Sequence, residues 1–282
     1  LKHGLLMGSQ FKGDLVQTDP EYRAKHSTEY ALSTVGNKCK WQATHPQRST
    51  YTLDKCNAAF TYARSVANQK FRGHNLCWGN NNPAWLENGN FSATELADIL
   101  QDHITTVMRG VKRAANGTSP LAWDVVNEAN NATHPYKLNT WYPALPNYVD
   151  VAFIAARKAD PDALLFYNEF GVSAAGGAKA EVMYQMVASM VRRGIPIDGV
   201  GLQAHLGTAQ PAREMVEGAP GAAGWPTDET DETDETDETD ETDEADETDE
   251  TDEAGYKLEP VPAEAAVSAN IARYGALGLQ VH

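Results

Sequence analysis

Short apolar segments rich in β-forming residues alternate along this chain with longer segments of helical periodicity, and this alternation is the strongest constraint on its fold. The predicted strands are Leu5–Ser9, Ala31–Thr34, Phe71–Trp78, Leu121–Asn127, Ala163–Asn168, Gly199–His205 and Leu279–His282. The predicted helices are Leu53–Asn68, Thr94–Arg113, Tyr148–Ala159, Ala178–Arg193 and Pro262–Leu277, with a weaker one at Tyr22–Glu29. Alternating β and α units build parallel sheets that are buried on both faces, so the pattern predicts an α/β fold.

Two α/β architectures fit this alternation, an open doubly wound sheet and a closed (β/α)8 TIM barrel. No glycine-rich phosphate-binding turn follows a predicted strand, and polar side chains gather at the carboxyl ends of several strands. Both observations favour the barrel. Since Leu279–His282 looks like the first part of a strand, we expect a single barrel domain over residues 1–282. It would be incomplete at its C-terminus, with about six and a half βα units.

Residues 227–253 repeat the triplet Thr-Asp-Glu and interrupt the barrel pattern. They hold 18 of the 39 acidic side chains and no basic one. Repulsion between like charges, without apolar residues, predicts a disordered insertion in the loop after the sixth strand. Weak calcium binding is the alternative for this segment. The remaining 21 acidic side chains nearly balance 23 basic ones, so nothing indicates a nucleic-acid partner.

Apolar runs, glycosylation sequons and cysteines bear on where in or outside the cell the protein is located. No apolar run approaches the ~20 residues needed to span a bilayer, so no membrane partner is expected. Three sequons permit N-glycosylation in a secretory route, at Asn90, Asn116 and Asn131. An odd number of cysteines does not make a disulfide framework, and free, mostly buried thiols are expected for Cys39, Cys56 and Cys77.

The segment Trp123–Glu128 reads as a buried strand that ends in an amide and a carboxyl group. A carboxyl group at the rim of an apolar strand is partly desolvated, which favours the protonated form that a general acid needs. Asn127 can donate to a substrate hydroxyl or to a neighbouring carboxylate. The pair Asn127 and Glu128 therefore predicts a proton-transfer site, with an ordinary helix cap as the alternative.

Other strand ends bring further polar and aromatic side chains to the same rim. His74 and Trp78 lie in the third predicted strand, and Gln203 and His205 end the sixth on one face, two residues apart. The second strand is followed by Asn37, Lys40 and Trp41. Aromatic rings stack on sugars, while amides and lysine bind hydroxyl groups, so this set predicts a carbohydrate site.

These segments resemble the retaining endo-β-1,4-xylanases of glycoside hydrolase family 10. The matching stretches, in the family's order, are Asn37–Trp41, Arg72–Trp78, Pro83–Trp85, Trp123–Glu128, Leu164–Phe170 and Ile197–His205. The resemblance implies a TIM barrel that hydrolyses internal bonds of xylan without a metal or organic cofactor. It also implies xylan or xylo-oligosaccharide as partner, a monomer, and a location outside the cell or in the cell wall.

The resemblance also assigns roles to individual residues. Glu128 corresponds to the acid/base and Asn127 to its neighbour that binds the sugar 2-hydroxyl. His205 corresponds to the residue that hydrogen-bonds the nucleophile, and Gln203 to one that lines the catalytic centre. Substrate-binding positions are Asn37, Lys40, His74, Trp78 and Trp85.

The chain departs from the family's pattern in two ways. Gly36, Gly79 and Asn168–Gly171 replace residues that are usual on the glycone side. The family's nucleophile is a glutamate that follows a strand like Gly278–His282, so it is expected just beyond His282. We therefore expect this fragment to be inactive by itself, and a catalytically dead xylan-binding relic is the alternative to an enzyme.

Overall fold

A computed structural model of the chain describes residues 5–206 and 261–282. The chain forms two compact units, one of Leu1–Ala204 with Pro262–His282 and one of His205–Val261. Nearly all of the second unit, including the acidic segment at 227–253, lies outside the described residues.

The first unit is built on a parallel sheet whose seven strands follow one another in chain order. The strands are β1 (Gly8–Phe11), β2 (Leu32–Val35), β3 (Lys70–Trp78), β4 (Ala122–Asn127), β5 (Leu164–Glu169), β6 (Gly199–Leu202) and β7 (Gln280–Val281). Sequential parallel strands joined by helices are the arrangement of a (β/α)8 barrel. The described residues supply seven of its strands, and the predicted incomplete TIM barrel is confirmed.

Nine α-helices lie among the described residues. They are α1 (Gly13–Thr18), α2 (Pro20–Glu29), α3 (Trp41–Thr44), α4 (Asp54–Ser65), α5 (Ala84–Glu87), α6 (Ala93–Ala114), α7 (Tyr148–Ala159), α8 (Ala178–Arg192) and α9 (Glu264–Gly275). A 3-10 turn, Asn37–Cys39, precedes α3. The bounds of α7 match the sequence prediction, whereas the short helices α1, α3 and α5 were not predicted, since one or two turns carry too little periodicity.

Helix α6 shows how local sequence fixes an element. Ser92 accepts a hydrogen bond from the backbone of Glu95, and the Glu95 carboxylate accepts one from the backbone N–H of Ser92 at 2.9 Å. This capping box satisfies orphan donors of the first turn. Leu96, Leu100 and Ile104 then bury one helix face, each contributing about 1.5–3 kcal/mol relative to exposure.

Two strands differ from their predicted bounds by up to three residues, whereas the other five differ by one residue at one or both ends. Strand β1 is Gly8–Phe11 because its register places Phe11 beside Val35 in the core, while the apolar Leu5 and Met7 upstream are exposed. Strand β6 ends at Leu202, three residues earlier than predicted. Ala204 adopts a positive φ of 51°, which turns the chain out of the extended conformation.

The central strands are irregular where they approach the site. Register shifts occur in β3 between His74 and Cys77 and in β4 between Asp124 and Val126. Such bulges re-aim the side chains that follow them. Gly73 is required here, because a Cβ at that position would lie 2.2 Å from the buried indole of Trp123.

The prediction of three free thiols is wrong. Cys39, in the 3-10 turn, and Cys56, in the first turn of α4, form a disulfide with their Cα atoms 4.9 Å apart. The proximity of these two elements is a tertiary property that sequence spacing does not reveal. Cys77 is free and fully buried, and burial raises the pKa of its thiol.

Among the helices of residues 5–206 and 261–282, none combines the length and hydrophobicity needed to cross a bilayer.

Candidate active site

The carboxyl ends of β3, β4 and β5 lie side by side at one rim of the sheet. Trp78 pairs with Asn127, and Asn127 pairs with Asn168. Glu128 follows β4 directly, at the rim where barrel enzymes place their chemistry.

Each carboxylate oxygen of Glu128 accepts one hydrogen bond. The indole Nε1 of Trp78 donates to Oε2 at 3.0 Å, and the amide Nε2 of Gln203 donates to Oε1 at 2.9 Å. Only 2 % of Glu128 is exposed. Two donors, one from β3 and one directly after β6, therefore hold the carboxyl group in one orientation, while each oxygen retains acceptor capacity for a proton or a ligand.

The backbone at Glu128 is also unusual. Its φ is 56°, in the left-handed region that costs a residue other than glycine about 1–3 kcal/mol. Its N–H donates to the carbonyl of Asn168 at 2.9 Å. A strained residue at a strand end indicates a functional constraint, since surrounding contacts must maintain it.

Asn127 is buried beside Glu128, and its Oδ1 accepts hydrogen bonds from Asn168 at 2.8 Å and from Gln203 at 3.3 Å. These donors fix the orientation of the amide and leave its Nδ2 group as the one that can donate to a ligand. The structure therefore brings together three predicted catalytic residues, Glu128, Asn127 and Gln203.

The predicted substrate-binding residues make contacts of different kinds. Lys40 lies with its Nζ 4.8 Å from the centre of the Trp78 ring, and Asn37 is exposed at the start of the 3-10 turn. Trp78 is 5 % exposed, so its clearest contact is the hydrogen bond to Glu128. The Trp85 indole donates to the carbonyl of His45 at 3.2 Å.

His74 belongs to a charged network inside the sheet. Its Nδ1 lies 2.9 Å from Oδ2 of Asp124, while Arg72 donates through Nε to Oδ1 of the same carboxylate at 3.0 Å. Burial acts to raise the pKa of Asp124, but the positive charge of Arg72 and the contact with His74 outweigh it, and the net shift is downward.

Sequence reasoning missed a second buried cluster, formed by Tyr167 and Glu169 of β5 and Lys179 of α8. The Tyr167 hydroxyl lies 2.6 Å from Oε2 of Glu169, and Lys179 Nζ lies 2.9 Å from Oε1. Burial raises the pKa of Glu169, opposed by the charge of Lys179. Burial likewise lowers the pKa of Lys179, opposed by Glu169. A carboxylate ending the apolar strand Leu164–Glu169 was the available signal.

The prediction that Gln203 and His205 share one face of β6 does not hold, because the strand ends before both residues and Ala204 turns the chain. Gln203 lies in the first compact unit and His205 begins the second. The predicted contact of His205 with a nucleophile stays a prediction.

A cavity of about 410 Å³ lies away from Glu128, between the loop after β4 and α8. Its charged lining residues, Arg193 and Glu181, are paired with Asp150 and Arg273 respectively. Glu128 and the two side chains that donate to it lie at the strand ends, so we place the candidate active site there and not in this cavity.

Known proteins resemble both the sequence and the fold. The family model "Glycosyl hydrolase family 10" matches residues 1–222. The chain is 35% identical over 188 residues to endo-1,4-beta-xylanase B of Thermotoga neapolitana, covering 66% of this chain and 52% of the relative. Endo-1,4-beta-xylanase C of Phanerodontia chrysosporium is 36% identical over 192 residues, covering 67% and 46%. The chain thus spans about half the length of these relatives.

Solved structures of xylanases are also similar to the chain. Xylanase 10B of Thermotoga petrophila RKU-1, crystallised with xylobiose, is 31% identical with a TM-score of 0.65, over 71% of this chain and 59% of that one. Native xylanase 10B of Thermotoga maritima has a TM-score of 0.72 at 25% identity, over 98% and 67%. Since the family model matches well over half of its residues, the chain belongs to glycosyl hydrolase family 10.

Proposed function

We propose that this chain is the acid/base-bearing part of a retaining endo-β-1,4-xylanase. The observation that carries the proposal is the buried Glu128 at the end of β4, held by Trp78 and Gln203 and flanked by Asn127. Membership of glycosyl hydrolase family 10 and similarity to xylanases supply the substrate class.

In this mechanism Glu128 protonates the leaving glycosidic oxygen while a second carboxylate attacks the anomeric carbon. Glu128 then removes a proton from the water that releases the glycosyl-enzyme. Asn127 donates to a sugar hydroxyl through its free amide hydrogens, and Lys40 beside Trp78 contributes a positive charge to the same rim. Asn37, His74 and Trp78 are proposed sugar contacts, with His205 and Gln203 as supports.

A retaining site needs its two carboxyl groups about 5–5.5 Å apart. In the part of the chain that the structure describes, the other buried carboxylates near the rim are Asp124 and Glu169, which are paired with Arg72 and Lys179 respectively. Neither suits an attack on a sugar, so the nucleophile is expected from another part of the protein. This pairing favours one second candidate function, binding of xylo-oligosaccharide without turnover.

The test compares residues 1–282 with the whole protein that the transcript encodes. We expect the whole protein to release xylo-oligosaccharides from soluble xylan and the fragment to bind xylotetraose with much less hydrolysis. Calorimetry measures binding, and chromatography of the products measures cleavage. Binding by the whole protein without cleavage would support the second candidate, and the absence of both would contradict the two together.

We propose that the protein works outside the cell or in the cell wall. The Cys39–Cys56 disulfide suits an oxidising compartment, and all three sequon asparagines are exposed. With its cysteines 17 positions apart, the disulfide is expected to contribute about 3 kcal/mol. Reductant should therefore lower the Tm by several degrees, and an N-glycosidase should reduce the mass of the native protein. Neither change would occur in a reduced, unglycosylated cytosolic protein.

A further inference from the structure

We propose that Tyr167, Glu169 and Lys179 act as positioning residues that clamp the backbone after Glu128 and so aim its carboxyl group. We call these three residues the clamp. The inference rests on the proposed role of Glu128 as the acid/base.

The backbone of Glu128 is strained. Its left-handed backbone is disfavoured for a residue with a Cβ and persists only if neighbouring contacts maintain it. On the upstream side, the N–H of Glu128 is bonded to the carbonyl of Asn168. Downstream of Glu128 no regular element begins until α7. The Lys137 N–H donates to the Ala129 carbonyl at 2.7 Å, and side chains supply the remaining restraint.

Tyr167 supplies this restraint. Its hydroxyl oxygen accepts hydrogen bonds from the backbone N–H groups of Ala129 at 2.9 Å and Asn130 at 3.2 Å. These are the two peptide groups that follow Glu128. Both donors are buried. Loss of the hydroxyl would remove the side-chain acceptor of the Ala129 N–H and leave the Asn130 N–H with its longer, 3.4 Å contact to Glu169 Oε2.

Glu169 and Lys179 hold the tyrosine in turn. The Tyr167 hydroxyl has one hydrogen and two acceptors within reach, Glu169 Oε2 at 2.6 Å and Asn130 Oδ1 at 2.9 Å. The closer, charged carboxylate is the stronger acceptor. Lys179 donates to Oε1 at 2.9 Å, and the Phe170 N–H donates to the same oxygen at 3.2 Å. Since these contacts are all donors, they favour the ionised carboxylate.

The clamp also connects two elements to the loop that carries Glu128. The side chain of Asn130 donates to the carbonyl of Lys179 at 3.2 Å, so the first turn of α8 fixes the same loop. The ion pair of Glu169 and Lys179 has one member that is wholly buried and one that is 16% exposed. A buried, fully hydrogen-bonded network resists rotation and specifies a single loop conformation.

The first measurement is amide hydrogen exchange, which needs no catalysis. In Tyr167→Phe, exchange should rise by about tenfold or more at Ala129 and by less at Asn130, which keeps its contact with Glu169. Exchange at Glu128, bonded to Asn168, should change least. Tyr274→Phe makes the same change in a buried tyrosine of α9 and is the matched control. If exchange at Ala129 and Asn130 stays at the wild-type rate, the clamp is ruled out.

The second measurement separates positioning from general damage. For Tyr167→Phe and Glu169→Gln in the whole protein, kcat/KM should fall by about 10–100-fold on xylobiosides with poor leaving groups, which need an acid. On activated dinitrophenyl xylobiosides, which depart unprotonated, the loss should stay within about threefold. Equal losses on both substrates would show a structural role only and overturn the proposal.

The remaining outcome concerns the proposed function itself. That outcome is a rise of exchange in the variant while the wild-type protein cleaves neither xyloside. In that case the proposed xylanase activity is wrong, and the clamp restrains the backbone without a role in catalysis. If Tyr167→Phe does not fold, Glu169→Gln carries both measurements, because it keeps the shape of the side chain and removes its charge.

Discussion

Replacing Glu128 by glutamine is expected to lower kcat/KM for xylan by about 10²–10⁴-fold in the protein that the transcript encodes, the usual contribution of general acid–base catalysis. The amide has nearly the same shape as the carboxyl group, but it cannot deliver a proton to the leaving oxygen. The loss should therefore appear in the chemical step, while the affinity for xylotetraose stays within a few-fold of wild type.

The contacts of Glu128 explain why affinity and stability should change little. Trp78 Nε1 can only donate, so the remaining oxygen of the glutamine would stay with it. The new NH2 group then faces the Gln203 amide, which would rotate and give up its 3.3 Å contact with Asn127. The net cost is about one neutral hydrogen bond, roughly 0.5–1.5 kcal/mol.

The measurement is steady-state hydrolysis of xylan together with calorimetric binding of xylotetraose. Glu181→Gln serves as the matched control, because Glu181 is an exposed residue of α8 paired with Arg273 and should leave activity unchanged. If Glu128→Gln keeps more than about a tenth of the wild-type kcat/KM, Glu128 is not the acid/base.

The parts of the fold that follow from local sequence were the ones that could be predicted. Helix α7 has its predicted bounds, and the capping pair Ser92 and Glu95 marks the start of α6. The alternation of elements was enough to predict parallel strands, because such connections leave few other topologies. Likewise Asn127 and Glu128 were identified because an apolar strand ending in polar groups is unusual.

Features that depend on long-range geometry could not be predicted. The disulfide joins two elements whose distance is set by tertiary packing, and the end of β6 depends on the backbone of Ala204. The clamp escaped detection because Glu169 and Lys179 meet only after β5 and α8 have packed. The burial of a charged side chain can be predicted from sequence only when its partner is known.

Replacing Asp124 by asparagine is expected to lower the free energy of unfolding by about 3–5 kcal/mol, because breaking a buried ion pair leaves an uncompensated charge. Only 11% of the Arg72 side chain and 3% of the Asp124 side chain are exposed, so water cannot replace the lost partner. For a protein of this size the Tm should fall by about 10 °C. Thermal and denaturant unfolding followed by circular dichroism would measure both changes.

The same carboxylate predicts a pH dependence. The pKa of Asp124 is lower in the folded protein than its ordinary value of 3.8, despite the opposing effect of burial, because Arg72 and His74 favour the ionised form. Its contribution to stability is therefore fully present above about pH 4 and is lost as the pH falls through the folded-state pKa. Asp124→Asn removes this contribution, so the variant should lose less stability than wild type on acidification.

A surface ion pair provides the control for this prediction. Glu21 pairs with Lys25 at 2.8 Å, and their side chains are 76% and 69% exposed, so Glu21→Gln should leave the free energy of unfolding nearly unchanged. Equal destabilisation by Asp124→Asn and Glu21→Gln would contradict a special role for the buried network. Asp124 also contacts His74, and the two strands that this contact joins carry Trp78 and Asn127 at their ends. Its loss should therefore weaken xylotetraose binding as well, by loosening β3 against β4. A stable variant with unchanged binding would mean that the network supports neither the barrel nor its rim.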